Sequence, residues 1–192
     1  VLSQNRNVPF ASAVILSGVY GGVMGTYLGS VTTPVLLGSN HGQTSASLLG
    51  MTSGFGLGTG LGVFYSIATE GRLEAAQSFI HYSSLGLFTG VGLGSFFGDR
   101  GNPVGAEYSS GMAGALGGTL FALSMDASGY TDHGSMLWGA YASILAGTGG
   151  IALSNGLNFN GEGATGLTLM SMGLAGLFTS MALAPFKPDP IK

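Results

Sequence analysis

The stretch AAQSFIHYSSLGLFTGVGLGSFFG, residues 75–98, carries the pattern that decides the fold. It contains no Asp, Glu, Lys or Arg, and Glu74 and Asp99 stand directly at its two ends. Glycine returns at every fourth position in its second half, at Gly86, Gly90, Gly94 and Gly98. A helix that crosses a bilayer needs about 20 predominantly apolar residues, and residues four apart share one helix face. The stretch therefore predicts a membrane-spanning helix with one bare glycine face.

The composition of the whole chain extends this prediction. Charged residues make up 7% of the 192 residues, whereas a soluble domain carries roughly 25%. Glycine supplies 37 residues without a Gly-X-Y repeat, which excludes a collagen helix. The net charge of −3 gives no basic field for nucleic acid, and the absence of cysteine excludes disulfides and thiol chemistry. A chain solvated largely by lipid fits these values.

The positions of the charged residues divide the chain into spans. Long uncharged stretches lie between them, and the first stretch is long enough for two spans because a polar break at residues 38–43 reads as a turn. We therefore expect an all-α, polytopic transmembrane bundle in a single membrane domain over 1–192. The six predicted spans cover residues 11–37, 44–68, 74–98, 106–125, 134–154 and 164–185, and an extended tail follows at 186–192.

Six spans place both termini on one side of the membrane. Four basic residues collect on that side and Arg100 alone on the other: Arg6, Arg72, Lys187 and Lys192. The positive-inside rule then predicts cytoplasmic termini, or the equivalent side of another membrane. The chain begins with Val1, which is compatible with removal of a leader or with cleavage from a longer precursor.

Small residues recur at four-residue spacing in every predicted span, including Gly21–Gly25, Gly139–Ser143–Gly147 and Gly176–Ser180–Ala184. Lipid gives little hydrophobic force between helices, so close packing of small residues has to hold them together. The predicted helix-packing residues are Gly18, Gly22, Gly25, Gly29, Gly50, Gly54, Gly58, Gly62, Gly86, Gly90, Gly94, Gly98, Gly114, Gly118, Gly139, Gly147 and Gly176.

A β-barrel is the alternative architecture, because residues 56–62 alternate with period two. Barrel interiors are polar and their loops are long, whereas the apolar stretches here are too long and too poor in charge. Ala, Leu and Met also favour helix.

Known catalytic and cofactor motifs are missing from the sequence. Residues 56–61 approach the dinucleotide-binding GxGxxG pattern but end in leucine, and no lysine follows a glycine cluster before Lys187. Asp126, Asp132 and His133 could hold a metal, although a solvated turn explains them better. His81 is the only histidine inside a predicted span, and it is therefore a candidate intramembrane polar site. We expect no catalytic residue, cofactor or metal.

Glycine ladders on short-looped hairpins are similar to those of mitochondrial import-channel proteins. That family has four spans, whereas six are predicted here, and no diagnostic motif matches residue by residue. The likeness therefore implies no site residue and no membership of that family.

The function that these features predict is structural. We expect a non-enzymatic subunit of a larger membrane complex, with the lipid bilayer and other membrane subunits or copies of itself as partners. A channel or transporter for small solutes or ions is the alternative, because a pore lined by hydroxyls and glycine backbone can pass neutral solutes.

Overall fold

The computed structural model of the protein describes residues 7–37, 43–97, 103–130, 132–159 and 161–184. These residues form six α-helices and contain no strand. The helices are α1 (Asn7–Leu37), α2 (Gln43–Ala68), α3 (Leu73–Phe97), α4 (Pro103–Ala127), α5 (His133–Gly156) and α6 (Glu162–Leu183). Each helix overlaps one predicted span, so the all-α prediction is confirmed. The alternating segment 56–62 lies inside α2.

Three helices are long and apolar enough to cross a membrane: α1 over Phe10–Ser30, α5 and α6. Each has between 21 and 24 residues in that region, which matches the roughly 17–25 residues that a span needs. The helices α2, α3 and α4 have similar lengths of 26, 25 and 25 residues, but they are not among the described helices that are apolar enough to cross a membrane. The structure therefore supports a helical membrane protein with three candidate spans.

Three of the helices end in the same hydrogen-bonded turn. After α4, the Tyr130 amide donates to the Met125 carbonyl at 3.0 Å and the Gly129 amide to the Asp126 carbonyl at 3.2 Å. This is the Schellman arrangement, which needs a left-handed residue just beyond the helix. Gly129 supplies it with φ 73°. The corresponding residues after α2 and α5 are Glu70 and Asn158, and the resulting turns leave little room for a soluble domain between helices.

The start of α4 differs from the predicted span, which begins at residue 106. The helix already begins at Pro103, whose fixed φ suits a first helical position. Glu107 consequently lies in the second turn, where its Oε1 accepts a 2.6 Å hydrogen bond from the Ser95 hydroxyl of α3. The carboxylate thus binds a neighbouring helix and does not face the amides at the end of its own helix.

The chain divides into two compact units, one ending at Ile80 and the other beginning at His81. The first unit contains α1, α2 and the start of α3. The second contains the rest of α3 with α4, α5 and α6. Whether the chain is a single membrane domain stays a prediction.

The interior of both units is built from small and hydroxyl-bearing residues. Five serines are among the most completely buried side chains, namely Ser17, Ser66, Ser78, Ser154 and Ser180. Many large apolar side chains lie on the outside: Leu57 and Leu145 are each 71% exposed. A few are buried, namely Phe79, Leu85, Leu87 and Met136. This distribution is opposite in its main tendency to that in a soluble domain, where large apolar side chains dominate the core.

Candidate functional site: glycine faces and a polar junction at His81

The contact between α1 and α2 is a seam of facing glycines. A methyl group built on Gly25 would meet the carbonyl oxygen of Gly54, and one built on Gly54 would meet that of Gly25. The same reciprocal relation joins Gly21 to Gly58 and Gly29 to Gly50. The partners advance by four residues in opposite directions, so the two helices are antiparallel.

The remaining predicted glycines of this hairpin lie at the edges of the seam. A methyl group on Gly62 would meet the Ser17 carbonyl oxygen. Gly18 and Gly22 face side chains of α2, with Val63 Cγ2 at 3.2 Å from a Gly18 methyl and Thr59 Oγ1 at 2.6 Å from a Gly22 methyl. All eight predicted glycines of α1 and α2 therefore face the partner helix.

The contact between α3 and α4 repeats the arrangement within the second unit. Methyl groups on Gly86 and Gly114 would each meet the other residue's carbonyl oxygen. One on Gly118 would meet the Tyr82 carbonyl oxygen, and one on Gly90 the Ser110 carbonyl oxygen. A methyl group on Gly94 would lie 2.6 Å from the Ala106 carbonyl oxygen. Gly98, the last member of this predicted ladder, lies outside the described residues.

The glycines between α5 and α6 face mainly side chains. A methyl group on Gly139 would meet the Ser180 hydroxyl, and one on Gly147 would lie 2.8 Å from Met172 Cγ. Gly176 faces the Leu85 side chain at 2.5 Å and the Gly139 carbonyl oxygen at 3.2 Å. The three predicted packing residues of α5 and α6 are therefore at helix contacts, but with less direct contact between backbones.

One glycine seam, between α3 and α6, is not predicted by the four-residue spacing of small residues. A methyl group on Gly92 of α3 would lie 2.7 Å from the Gly166 carbonyl oxygen of α6, and one on Gly166 would lie 2.9 Å from the Gly92 carbonyl oxygen. Gly173 lies against the Leu85 carbonyl oxygen of α3. Gly166, Gly173 and Ser180 are seven residues apart, and a seven-residue spacing also returns to one helix face. The seven-residue spacing in the sequence could therefore have predicted this face of α6.

The polar junction, which we define as His81, Tyr82 and Ser180, lies at one end of this α3–α6 seam. His81 Nε2 is 2.8 Å from the Ser180 hydroxyl oxygen. The Tyr82 side chain bonds the same hydroxyl and is 1% exposed. The backbone of α5 packs against His81 and Ser180 at Gly139, where an added methyl group would lie 3.1 Å from His81 Nε2. His81 is therefore held by a helix-to-helix hydrogen bond, and Ser180 was not anticipated as its partner.

A histidine bonded to a serine is also the geometry of an activated nucleophile. Ser180, however, is completely buried in the interior of α6, and Gly139 packs directly against its hydroxyl. Its backbone amide belongs to a continuous helix, so it is not a free donor for an oxyanion. The pair is suited to holding helices together.

Two carboxylates lie near the junction, at the α4–α5 connection. Asp126 is 6% exposed in the last turn of α4, and Asp132 precedes α5, where its Oδ2 accepts a 3.1 Å hydrogen bond from the Ser135 amide. Both are within electrostatic range of Tyr82. Among the described residues no three His, Cys, Asp or Glu side chains are grouped so as to hold a metal ion. His133 is exposed at the start of α5, and His41 lies outside the described residues.

No protein family, curated protein or solved structure matches this chain.

Proposed function

We propose that the chain is a non-enzymatic integral membrane protein with six membrane-spanning helices, and that it serves as a structural subunit of a larger membrane assembly. The observation that carries the proposal is the reversed distribution of side chains. Serines are fully buried, whereas large apolar residues are exposed on α2 and α4 as well as on the three candidate spans, with Leu120 of α4 67% exposed. Exposed apolar surface on this scale is unfavourable in water and favourable in lipid.

The glycine contacts support packing of the glycine-zipper type. In glycine a Cα hydrogen takes the direction of the missing methyl group. Where a facing carbonyl oxygen lies in that direction, the Cα hydrogen therefore points at the oxygen. Such Cα–H···O contacts recur at helix interfaces and contribute about 0.5–1 kcal/mol each. The reciprocal pairs at Gly25–Gly54 and Gly86–Gly114 would hold α1 on α2 and α3 on α4 without large apolar side chains between them.

The orientation that we propose places both termini on the cytoplasmic or equivalent side. The α2–α3 turn, with Arg72, and the α4–α5 turn would face that side together with the termini. The basic residues Arg6, Arg72, Lys187 and Lys192 support this orientation by their number.

A further small-residue face supports association with a partner or a second copy. Gly56 and Gly60 are four residues apart on α2, and both are exposed. A methyl group added to either would meet no neighbouring atom within 4 Å. The ladder that faces α1 uses the other side of α2, at Gly54 and Gly58. A neighbouring helix could therefore approach α2 closely at Gly56 and Gly60 while α1 stays in place.

The test of the assembly is blue-native electrophoresis of the full chain extracted in mild detergent. We expect a band well above the protomer mass, because the exposed glycine face is occupied in the membrane. Gly60→Leu fills that face and should shift the band to the protomer. Gly149→Leu on α5 is the matched control, since Gly149 is equally open. A lone protomer from the unmodified chain would contradict the proposed assembly.

A second candidate function, passage of small solutes, is favoured by the polar junction because ionisable groups inside spans mark solute and proton pathways. His81, Tyr82 and Ser180 form a continuous polar contact within the second unit. Reconstituted liposomes test it directly. Solute flux that disappears with His81→Leu, and persists with His133→Leu, would support passage over the structural role.

A further inference from the structure

A groove runs along the surface of the second unit between α3, α4 and α6. Its volume is about 440 Å³, and it opens to the outside. Gly86, Gly90 and Gly114 form part of its lining, and Phe121, Leu177 and Met181 line it near the end of α4 and α6. The groove borders the α3–α4 glycine seam, because Gly86, Gly90 and Gly114 belong to both. Gly117 also lines the groove, and a methyl group added there would meet no atom within 4 Å.

The lining of the groove presents almost no polar surface. The two hydroxyl groups in it already have partners on their own helices. Thr89 Oγ1 donates to the Leu85 carbonyl at 2.9 Å, and the Ser110 hydroxyl donates to the Glu107 carbonyl at 3.2 Å and also to that of Ala106. A polar occupant would therefore find no free hydrogen-bonding partner in these two hydroxyl groups. A purely apolar occupant would leave no polar group of the lining unsatisfied.

The size of the groove distinguishes between apolar occupants. On α4 the lining extends from Ser110 to Phe121, which corresponds to about 16 Å of helix at 1.5 Å per residue. A helix of that length with a diameter of 10 Å has a volume of about 1,200 Å³, so most of it would project out of the 440 Å³ groove. One leaflet of the hydrocarbon core is about 15 Å thick, half of the 30 Å total. A single extended hydrocarbon chain matches that length, and it is much thinner than a helix, so it can lie within the groove.

We propose that this groove binds one acyl chain of a membrane lipid, held between the glycine face of α3–α4 and the side chains of Phe121, Leu177 and Met181. The inference rests on the proposed location of α3 and α4 in the bilayer. The bound chain would complete the packing that glycine leaves open, since an unfilled gap forfeits the dispersion contacts of the atoms around it. The lipid would then be a structural component of the second unit.

The experiment uses the full chain in vesicles of phosphatidylcholine that carries a photoactivatable diazirine in one acyl chain. After irradiation, mass spectrometry maps the adducts. We expect them at groove positions of α4 and α6 as well as on the outer, lipid-facing side chains such as Leu145 and Phe178. Gly117→Phe places a ring at the groove, where a side chain meets no atom within 4 Å, and should abolish the groove adducts. Gly149→Phe is the matched control and should leave them unchanged.

The possible outcomes separate this inference from the proposed function. Adducts on outer side chains with none in the groove, or groove adducts that survive Gly117→Phe, would overturn the acyl-chain site while the membrane location stands. Absence of all adducts would contradict both. Gly117→Cys gives a chain with one thiol; a disulfide-linked dimer would place a second copy in the groove and overturn the inference. If Gly117→Phe loses its helical circular dichroism, Ala113→Phe on the same lining repeats the test.

Discussion

The α1–α2 hairpin of the first unit and the α5–α6 hairpin of the second both have glycines at the contact between their helices. The nearest atoms that these glycines face differ between the two hairpins. On α1 and α2, Gly25 and Gly54 each face the other's carbonyl oxygen. On α5 and α6, Gly147 faces the flexible side chain of Met172, and Gly139 faces the Ser180 hydroxyl. A Gly139 methyl group would also lie 2.8 Å from the Gly176 carbonyl oxygen, so backbones approach each other in this hairpin too. The nearest atom, however, belongs to the facing backbone at Gly25 and Gly54 and to a side chain at Gly139 and Gly147.

The difference decides how much each glycine matters. A carbonyl oxygen is fixed by its helix, so an added methyl group forces the two helices apart. A methionine side chain has three rotatable bonds and can move away. The first hairpin should therefore tolerate no enlargement along its seam, whereas the second should accommodate it at some positions.

Gly25→Ala should have the largest effect. Alanine favours helix over glycine by about 1 kcal/mol, but overpacking against the Gly54 backbone should cost about 2–3 kcal/mol, so separation of the helices wins. We expect a lower free energy of unfolding and a weaker α1–α2 contact. Unfolding in mixed detergent micelles, followed by circular dichroism, measures the change. An unchanged unfolding free energy would remove the distinction between the two hairpins.

Ser180→Ala should have an intermediate effect, because it removes the hydroxyl group that is hydrogen-bonded to both His81 and Tyr82. Interhelical hydrogen bonds in membranes average about 0.6 kcal/mol and reach about 1.7 kcal/mol. We expect a loss within that range in the same unfolding assay. The control is Ser109→Ala on α4, whose exposed hydroxyl bonds only the Ala106 carbonyl of its own helix and should change little. Equal losses from the two variants would argue against a special role for the polar junction.

Gly147→Ala should be milder than either. The new methyl group would approach Met172 Cγ at 2.8 Å and Sδ at 3.0 Å, and rotation of the methionine can relieve both contacts. We expect a loss under about 1 kcal/mol, at the low end for an added methylene. The double variant with Met172→Ala should recover part of the loss. A loss as large as that of Gly25→Ala would mean that α5 and α6 are as rigidly opposed as α1 and α2.

Gly56→Ala should have the smallest effect on the isolated protomer. Its methyl group would point into open space, so only the helix propensity changes, by at most about 1 kcal/mol in favour of the helix. Gly56 and Gly25 are both glycines in apolar helices. A higher free energy of unfolding for Gly56→Ala and a lower one for Gly25→Ala would sharpen the comparison. Destabilisation of the protomer by Gly56→Ala would show that α2 is covered by its own chain on that face.

The elements of the fold could be predicted from the sequence because charge placement leaves no other long apolar segments. Helix α3, for example, begins and ends one residue from its predicted span. The glycines from Gly50 to Gly62 lie on the side of α2 that approaches α1, since a four-residue period fixes a face. The start of α4 was predicted less accurately, because the helix begins at Pro103, three residues before the predicted span.

The pairing of faces could not be predicted from one sequence. A glycine face shows that a close neighbour fits, but it does not name the neighbour. Gly92 and Gly166 meet because α3 and α6 are adjacent in the second unit, which spacing within either helix does not reveal. For the same reason His81 was predicted as an intramembrane polar residue, whereas its partner Ser180, 99 positions away, emerged only from the structure.

Solid-state NMR of the glycine-labelled chain in lipid bilayers tests the seam between α1 and α2 most directly. We expect helical chemical shifts and carbon–carbon cross-peaks between Gly25 and Gly54 and between Gly21 and Gly58, with all four residues protected from the aqueous phase. Absence of these cross-peaks in a bilayer-embedded chain, or their presence only in a water-soluble fraction, would contradict the α1–α2 seam.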